Sequence, residues 1–179
     1  MKNDENKEVI EAYIKEGVPS VHHSDTYKET YNPCYRVCLK KYMQYWDVLL
    51  KVEELEEGII GIDGRCGSGK STLGQVISEL FDLQLVHMDD FYLPLDMRTK
   101  ERLSTPGGNV HYERVKKEII EPISNKQDTT YGVFDCSVMA VNSTKALQYE
   151  TKIVVEGSYA FVKELRDYYS LKIFSTISK

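Results

Sequence analysis

A glycine-rich segment at residues 64–71, with the sequence GRCGSGKS, constrains the fold of this chain more than any other feature. It follows a short β-branched apolar run at residues 59–63, which predicts a buried strand. It precedes residues 71–81, in which leucine, valine and isoleucine recur at helical spacing. Glycines let a backbone curve closely around phosphate groups, and the N–H groups of such a loop and of the following helix face the anion. The order of strand, glycine-rich turn and helix therefore predicts a phosphate-binding loop.

The side chains of this loop predict a nucleoside triphosphate as ligand. Lys70 is expected to reach the β- and γ-phosphates, and the Ser71 hydroxyl is expected to bind Mg²⁺. The predicted nucleotide-binding residues are Gly64, Arg65, Cys66, Gly67, Ser68, Gly69, Lys70, Ser71 and Thr72.

Composition excludes several classes of partner. The 179 residues suit one domain with a sizeable core, and the net charge of −5 carries no basic block, so nucleic acid is not expected as a partner. No apolar run reaches membrane-spanning length, so no membrane partner is expected either. The first residues are polar and acidic with no apolar stretch behind them, which predicts no signal peptide and a cytoplasmic location.

The four cysteines, Cys34, Cys38, Cys66 and Cys136, are expected to be reduced thiols. Cys34 and Cys38 lie one helical turn apart, but no second pair stands at zinc-ligand spacing, so a metal site is not expected there. Cys66 lies within the phosphate loop at a helix N-terminus, where thiols are often reactive. It is either a tolerated variable position or a redox-sensitive element of the nucleotide site.

Residues 1–57 are predicted to form a helical N-terminal extension, and residues 58–179 the core. A short charged helix is expected at residues 6–16, and a second helix starts at Asn32, a good N-cap that a proline follows. This second helix has an apolar and aromatic stripe, which we expect to dock on the core. Its members are Leu39, Tyr42, Met43, Trp46, Leu49 and Leu50.

The core alternates strands with helices, which predicts a parallel sheet covered by helices on both faces. The predicted strands are residues 58–62, 83–88, 152–156 and 171–175. Besides the helix after the loop, helices are predicted at residues 111–123 and 161–169.

Carboxylates follow two of these strands directly. Asp89 and Asp90 follow the second strand, and Glu156 ends the third. Ligands of open parallel sheets gather beyond the carboxyl ends of the strands. The joint position of these side chains beside the phosphate loop favours metal binding and acid–base chemistry. The alternatives are a helix cap or solvated turn for the aspartates, and a turn residue before glycine for Glu156.

Three ordered segments together resemble the uridine kinase and phosphoribulokinase group of P-loop kinases, and within it the bacterial uridine kinase-like proteins. They are residues 63–72 (DGRCGSGKST), 87–92 (HMDDFY) and 154–157 (VVEG). Further similar segments are residues 32–37 (NPCYRV), 98–99 (RT), 106–110 (PGGNV), 134–136 (FDC) and 165–169 (LRDYY). The resemblance implies an α/β P-loop NTPase fold, a three-layer sandwich with strand order 2-3-1-4.

The resemblance also implies an activity, namely ATP- and Mg²⁺-dependent phosphorylation of a nucleoside hydroxyl, as in uridine or cytidine. It implies that Asp89 is the catalytic base, beside Lys70, and that Glu156 assists Ser71 in holding Mg²⁺. The implied acceptor-binding residues are Asp89, Tyr92, Arg98, His111, Phe134 and Asp135, and the resemblance also implies nucleoside contacts from the segment around residues 109–114. Two alternatives stay open: a small-molecule P-loop kinase for a pantothenate-type or sugar acceptor, and a degenerate nucleotide-binding regulatory protein without turnover.

Two departures from the family pattern bear on these expectations. Relatives often have an acidic residue where this chain has His111, which weakens the ribose contact implied there. The sequence ends at Lys179, where the family continues into an arginine-bearing helical lid and a further strand, so the core is expected to be incomplete at its C-terminal end. Arg98 and Arg102 could replace the lid arginines from the acceptor side. An exposed sheet edge would also permit a homo-oligomer.

Overall fold

The structure is a computed structural model that describes Thr26 and residues 40–177. The helix predicted at residues 6–16 and the first part of the helix predicted from Asn32 lie outside these residues, as do Cys34 and Cys38. The chain divides into two units, Met1–Trp46 and Asp47–Lys179. The extension boundary at residue 57 therefore stays a prediction.

The helix with the aromatic stripe is not continuous, which corrects the prediction. Helix α1 (Lys40–Met43) ends in a turn, in which the Tyr45 N–H donates to the Tyr42 carbonyl oxygen over 2.9 Å. Helix α2 (Trp46–Glu54) then begins, and it buries Leu49 and Val52. Leu50, which the stripe included, is exposed.

Four parallel strands form the central sheet in the order β2, β5, β1, β6. They are β1 (Gly58–Gly64), β2 (Leu85–His87), β5 (Lys152–Glu156) and β6 (Tyr169–Ser175). In the numbering of the four predicted strands this order is 2-3-1-4, so the predicted fold class and strand order are confirmed. Strands β1 and β5 are almost entirely buried because both faces of the sheet are covered.

Helices cover the two faces of this sheet. Helix α3 (Lys70–Phe81) follows the phosphate loop and buries Leu73, Val76, Ile77 and Leu80. On the other face, residues 112–124 join the core cluster that contains Ile59 and Ile153. These residues form α5 (Tyr112–Val115), a π-helical turn (Lys116–Ile120) and α6 (Glu121–Ser124). A short helix, α4 (Lys100–Leu103), precedes them in the chain.

The π-helical turn has a local cause in Pro122. Proline has no N–H group, so it cannot donate to the Glu118 carbonyl oxygen four residues earlier. That oxygen instead accepts a 2.9 Å hydrogen bond from the Thr129 hydroxyl. The predicted helix over residues 111–123 is therefore present but irregular.

A hairpin that the sequence analysis did not predict stands beside the sheet. Strands β3 (Thr129–Asp135) and β4 (Ala140–Leu147) pair antiparallel. The ring of Tyr131 on β3 stacks on that of Phe91, with centroids 5.4 Å apart. The hairpin thus packs against the segment that follows β2.

The helix predicted at residues 161–169 is wrong. These residues form turns and a 3₁₀ turn (Arg166–Tyr168), and Tyr169 is already the first residue of β6. The Tyr169 ring is buried against Phe161, with centroids 5.5 Å apart, and pairing with β1 holds its backbone extended. Among the residues that the structure describes, no helix combines the length and apolar character needed to cross a bilayer.

Candidate active site

The phosphate loop extends from the carboxyl end of β1 and leads into α3. A Cβ atom at Gly64 would clash with the Ser175 carbonyl oxygen, so the close approach of β6 requires glycine there. Gly69 has φ 84°, a left-handed conformation, and no side chain caps the first N–H groups of α3. An anion could therefore accept from these N–H groups, and phosphate binding there stays a prediction.

Lys70 is buried, with 8% of its surface exposed. Its Nζ donates a 2.8 Å hydrogen bond to the Arg65 carbonyl oxygen across the loop, and the same oxygen accepts from the Ser68 N–H over 3.1 Å. The ammonium group is therefore held at the loop, and its contact with phosphate stays a prediction.

Glu156 ends β5, the strand that lies between β2 and β1, and its carboxylate contacts residues on α3 and on β2. One of its carboxylate oxygens accepts a 3.3 Å hydrogen bond from the Ser71 hydroxyl, and the other lies 2.6 Å from His87 Nδ1. Only 4% of Glu156 is exposed. The hydrogen bond to Glu156 raises the pKa of His87 above its ordinary value, against the opposing effect of burial.

The two predicted Mg²⁺ ligands, Ser71 and Glu156, are thus in contact. Their hydroxyl and carboxylate oxygens are donors that Mg²⁺ prefers, and His87 on the second oxygen fixes the carboxylate orientation. Within residues 40–177 and Thr26, no group of three or more His, Cys, Asp or Glu side chains could hold a metal ion. This donor set fits Mg²⁺, which usually binds through one or two protein ligands plus substrate phosphates.

Asp89 and Asp90 lie in a 3₁₀ turn (Met88–Phe91) directly after β2, rather than on an extended strand end. Asp89 is exposed, and its carboxylate accepts a 3.0 Å hydrogen bond from the Tyr92 hydroxyl. Burial, followed by the charge of Asp89, raises the pKa of Tyr92 to about 12. The phenol therefore stays a hydrogen-bond donor to Asp89 at neutral pH.

Asp90 is buried and already paired. Its Oδ2 lies 2.8 Å from Lys145 Nζ on β4, and burial, followed by the nearby Asp90 charge, raises the pKa of the Tyr131 phenol on β3. Asp90 therefore attaches the hairpin to the turn that bears Asp89. The structure separates the adjacent aspartates into one solvent-facing carboxylate and one structural carboxylate.

Three of the predicted acceptor residues lie together beside Asp89. The rings of Tyr92 and Phe134 meet edge to face with centroids 6.1 Å apart, and the Arg98 guanidinium lies 6.0 Å from the Phe134 ring. Arg98 Nε is fixed by a 2.7 Å hydrogen bond to the Leu93 carbonyl oxygen. Asp89, Tyr92, Phe134 and Arg98 therefore form one continuous patch.

The side chains of Asp135 and His111 contact their own turns instead. The Asp135 carboxylate accepts from the Ser137 hydroxyl and N–H and from the Asn142 amide, and these bonds lower its pKa. His111 caps α5 by accepting the Arg114 N–H on Nδ1 over 3.3 Å, and burial lowers its pKa. Acceptor contacts by these two residues stay predictions.

Arg102 is fully engaged as a structural side chain. It forms a bidentate pair with Glu113, with 2.7 and 2.9 Å contacts, and donates to the Tyr112 hydroxyl and to two backbone carbonyl oxygens. Arg102 therefore has no free donor group for a transferring phosphate, and only Arg98 stays a candidate for that task.

Sequence reasoning missed two residues that shape the site, His87 and Asp63. His87 ends β2 and stands opposite Glu156 in the β2–β5 register. Asp63 is buried at the end of β1, and its carboxylate accepts the N–H groups of Gly64, Tyr159 and Phe161 at 2.6–3.0 Å. The sequence did contain a sign that Asp63 has a role. It is an acidic residue that directly follows an apolar strand and directly precedes the phosphate loop.

Comparisons with known proteins support the fold. No protein-family model matches the sequence. A bifunctional shikimate kinase/3-dehydroquinate synthase from Thermotoga maritima is 32% identical over 65 residues, which are 36% of this chain and 13% of that protein. Since the chain spans so small a share of that protein, the match does not assign an activity.

Two solved structures share the architecture at low sequence identity. A possible uridine kinase from Bacillus stearothermophilus is 20% identical and has a TM-score of 0.62, with 75% of this chain and 80% of that chain covered. A candidate fructose transport system kinase from Silicibacter sp. TM1040 is 19% identical with a TM-score of 0.57, and the match covers 74% of each chain. The chain therefore has the fold of the uridine kinase-like and sugar kinase-like P-loop kinases.

Proposed function

We propose that this protein transfers the γ-phosphoryl group of ATP to a hydroxyl group of a small, nucleoside-like acceptor. The observation that carries the proposal is the convergence of three groups at the carboxyl ends of neighbouring parallel strands. These are the phosphate loop with Lys70 after β1, the Ser71–Glu156 pair at the end of β5, and the exposed Asp89 after β2. Phosphoryl transfer depends on positioning and charge neutralisation, which this arrangement can provide.

The loop and the first turn of α3 bind the phosphates. Backbone N–H groups and the Lys70 ammonium would face the β- and γ-phosphate oxygens, where a buried cation interacts strongly. Mg²⁺ held by Ser71 and Glu156 would neutralise charge on the same phosphates. His87 keeps the Glu156 carboxylate in place from the other side.

Asp89 takes the proton of the acceptor hydroxyl as general base. It is the carboxylate of the pair that faces solvent, whereas Asp90 is occupied by Lys145. The Tyr92 hydroxyl donates to Asp89 and orients it. A general base of this kind contributes about 10²–10⁴ in rate.

The patch beside Asp89 favours an acceptor with a ring. Tyr92 and Phe134 provide aromatic surface, and the Arg98 guanidinium near Phe134 adds a cation that can contact polar ring substituents. The names of the two similar solved structures point to a nucleoside and to a sugar transport system respectively. The aromatic surface is our reason for placing a nucleoside first.

The test is ADP formation from Mg·ATP with uridine, cytidine, fructose and pantothenate as separate acceptors. We expect turnover above the acceptor-free rate with uridine or cytidine. Asp89→Asn should remove most of that turnover and leave Mg·ATP binding unchanged. The control Asp96→Asn, which alters another exposed aspartate, should change neither turnover nor Mg·ATP binding. Turnover with fructose or pantothenate but with neither nucleoside would show that the proposed acceptor class is wrong. ATP binding without turnover on any of the four acceptors would favour a regulatory protein.

A further inference from the structure

A second cavity, of about 460 Å³, lies apart from the predicted acceptor patch. This open cavity is lined by Asp63 and by residues of two segments. They are the strap, defined as residues 99–112, and the turn segment, defined as residues 157–164. Its lining contains none of the six named acceptor residues, although Tyr112 belongs to the segment at residues 109–114 that the resemblance also implies for nucleoside contacts. Its volume falls within the range of about 300–1,000 Å³ that is typical of small-molecule pockets.

The strap and the turn segment are fixed against each other at Gly107. A Cβ atom there would lie 2.6 Å from Val162 Cγ1 and 3.1 Å from Tyr159 Cβ, so only glycine permits this contact. The Asp63 carboxylate, at the end of β1, accepts hydrogen bonds from the N–H groups of Tyr159 and Phe161 and so fixes the turn segment to the sheet. The cavity walls are therefore anchored by packing and by hydrogen bonds.

Tyr159 has an unusual backbone conformation. Its φ of 66° lies in the left-handed region, which costs free energy for an aromatic residue and is concentrated at functional sites. Its side chain lines the cavity and is 44% exposed. The fold thus holds a large aromatic ring, at a conformational cost, where a bound molecule can reach it.

Tyr112, on the strap, adds a second aromatic side chain to the lining. The Arg102 guanidinium carbon lies 4.0 Å from the centroid of the Tyr112 ring, and Arg102 also donates to the Tyr112 hydroxyl over 2.7 Å. These contacts hold the ring in one orientation. Phe161 adds a third ring to the lining.

Polar groups at the edge of the cavity lack partners of their own. Lys163 and Glu164 line the cavity and are exposed, and neither forms a hydrogen bond or ion pair with the described residues. They offer a donor and an acceptor to a ligand that contacts the aromatic side chains of the lining. A lining with several aromatic side chains and a polar edge suits a flat ring that has hydrogen-bonding groups on its periphery.

We infer that this cavity binds a heteroaromatic ring of the nucleobase class, at a site separate from the patch beside Asp89. The aromatic side chains of Tyr112, Tyr159 and Phe161 supply the stacking surface, and Lys163 and Glu164 supply the polar edge. The inference does not depend on the identity of the phosphoryl acceptor.

Free adenine and uracil are the probes, because neither has the alcohol group of a phosphoryl acceptor. Binding is measured by calorimetry and by ligand-observed NMR, with the phosphate loop saturated by a non-hydrolysable Mg·ATP analogue. We expect at least one base to bind with a dissociation constant of about 1 mM or below. Intermolecular NOEs from the base to the assigned rings of Tyr112 and Tyr159, and not to that of Tyr92, would locate the site in the unaltered protein.

The decisive variant is Tyr159→Asn, since asparagine tolerates a positive φ and removes the ring. Loss of one stacking surface should weaken base binding by about tenfold. Tyr168→Asn, which removes a ring of similar exposure outside the cavity, should leave binding unchanged. Tyr159→Gly repeats the test if the asparagine variant is unstable.

Three results would overturn the inference. They are no binding of either base, unchanged binding by both Tyr159 variants, and weakening by Phe134→Ala instead of Tyr159→Asn. The last result would place the base in the acceptor patch, which would support the proposed function while removing the second site.

Discussion

The Ser175 hydroxyl donates a 2.6 Å hydrogen bond to the Ser68 carbonyl oxygen, which ties the last residue of β6 to the phosphate loop. Ser175 also pairs with Gly64 in the β1–β6 register, at the point where the loop begins. The edge strand therefore contacts the loop at its first residue and near its middle. Its end helps to set the loop conformation that phosphates would meet.

Removal of this contact should weaken nucleotide binding. Ser175→Ala deletes one hydrogen bond that holds the loop. Because such a bond contributes a net free energy of about 0.5–1.5 kcal/mol, we expect a two- to tenfold loss of Mg·ATP affinity. Calorimetric titration measures it, with Ser170→Ala on the same strand as control. Equal affinities of Ser175→Ala and the parent would show that the loop keeps its conformation without the bond.

Lys70→Ala should weaken Mg·ATP binding more strongly. A buried cation that contacts phosphate contributes roughly 1.5–3 kcal/mol, so we expect a loss of about ten- to a hundredfold in affinity. Lys51→Ala, which alters an exposed lysine on α2, is the matched control. If Lys70→Ala binds Mg·ATP as the parent does, the loop is not a nucleotide site.

The adjacent aspartates should differ in what their loss affects. Asp90→Asn removes the charge that Lys145 and Tyr131 contact, so we expect a lower thermal midpoint, by about 2–4 °C for each kcal/mol lost. Asp89→Asn should leave the midpoint unchanged, because its carboxylate faces solvent and, among the described residues, hydrogen-bonds with Tyr92 alone. Scanning calorimetry separates the two variants, and a larger loss of stability from Asp89→Asn would reverse our assignment of the structural carboxylate.

The cap at His111 should make the protein sensitive to acid. Burial lowers the folded-state pKa of His111 below its ordinary value of 6.5, although the nearby Glu113 opposes this shift. The neutral ring accepts the Arg114 N–H, so this contribution to stability is complete above about pH 6.5 and is lost as pH falls through the lowered pKa.

His111→Asn tests this pH dependence, because asparagine is a good N-cap that does not titrate. The difference in thermal midpoint between the parent and His111→Asn, measured from pH 8 to pH 4.5, should move in favour of the variant below about pH 6.5. A difference that stays constant across this range would show that His111 does not titrate differently in the folded and unfolded states.

The sequence was most informative where structure depends on neighbouring residues. The phosphate loop could be predicted from eight consecutive residues and their flanks, since glycine conformations, strand propensity and helical spacing are local properties. The resemblance implied a strand order, which the structure confirms. The hairpin was missed because β4 is exposed along nearly its whole length and lacks the apolar alternation that identifies a strand.

The predicted helix at residues 161–169 failed for a related reason. Its apolar residues lie in turns and at the start of the edge strand β6. Contacts with residues distant in sequence favour this conformation over a helix. The Asp63 carboxylate fixes the turn from β1, 98 residues before Phe161, and the register with β1 extends the chain from Tyr169. Such contacts override local helical spacing.

By itself, the sequence determined the phosphate loop, the carboxylates at the strand ends and a parallel α/β core, because each follows from short-range pattern. Only the tertiary structure decided that Glu156 bridges Ser71 and His87, since this requires the β2–β5 register between residues 69 positions apart. It also decided that Asp90 is buried against Lys145 while Asp89 faces solvent. Adjacent carboxylates are chemically equivalent in a sequence, and they become different only when packing removes one of them from water.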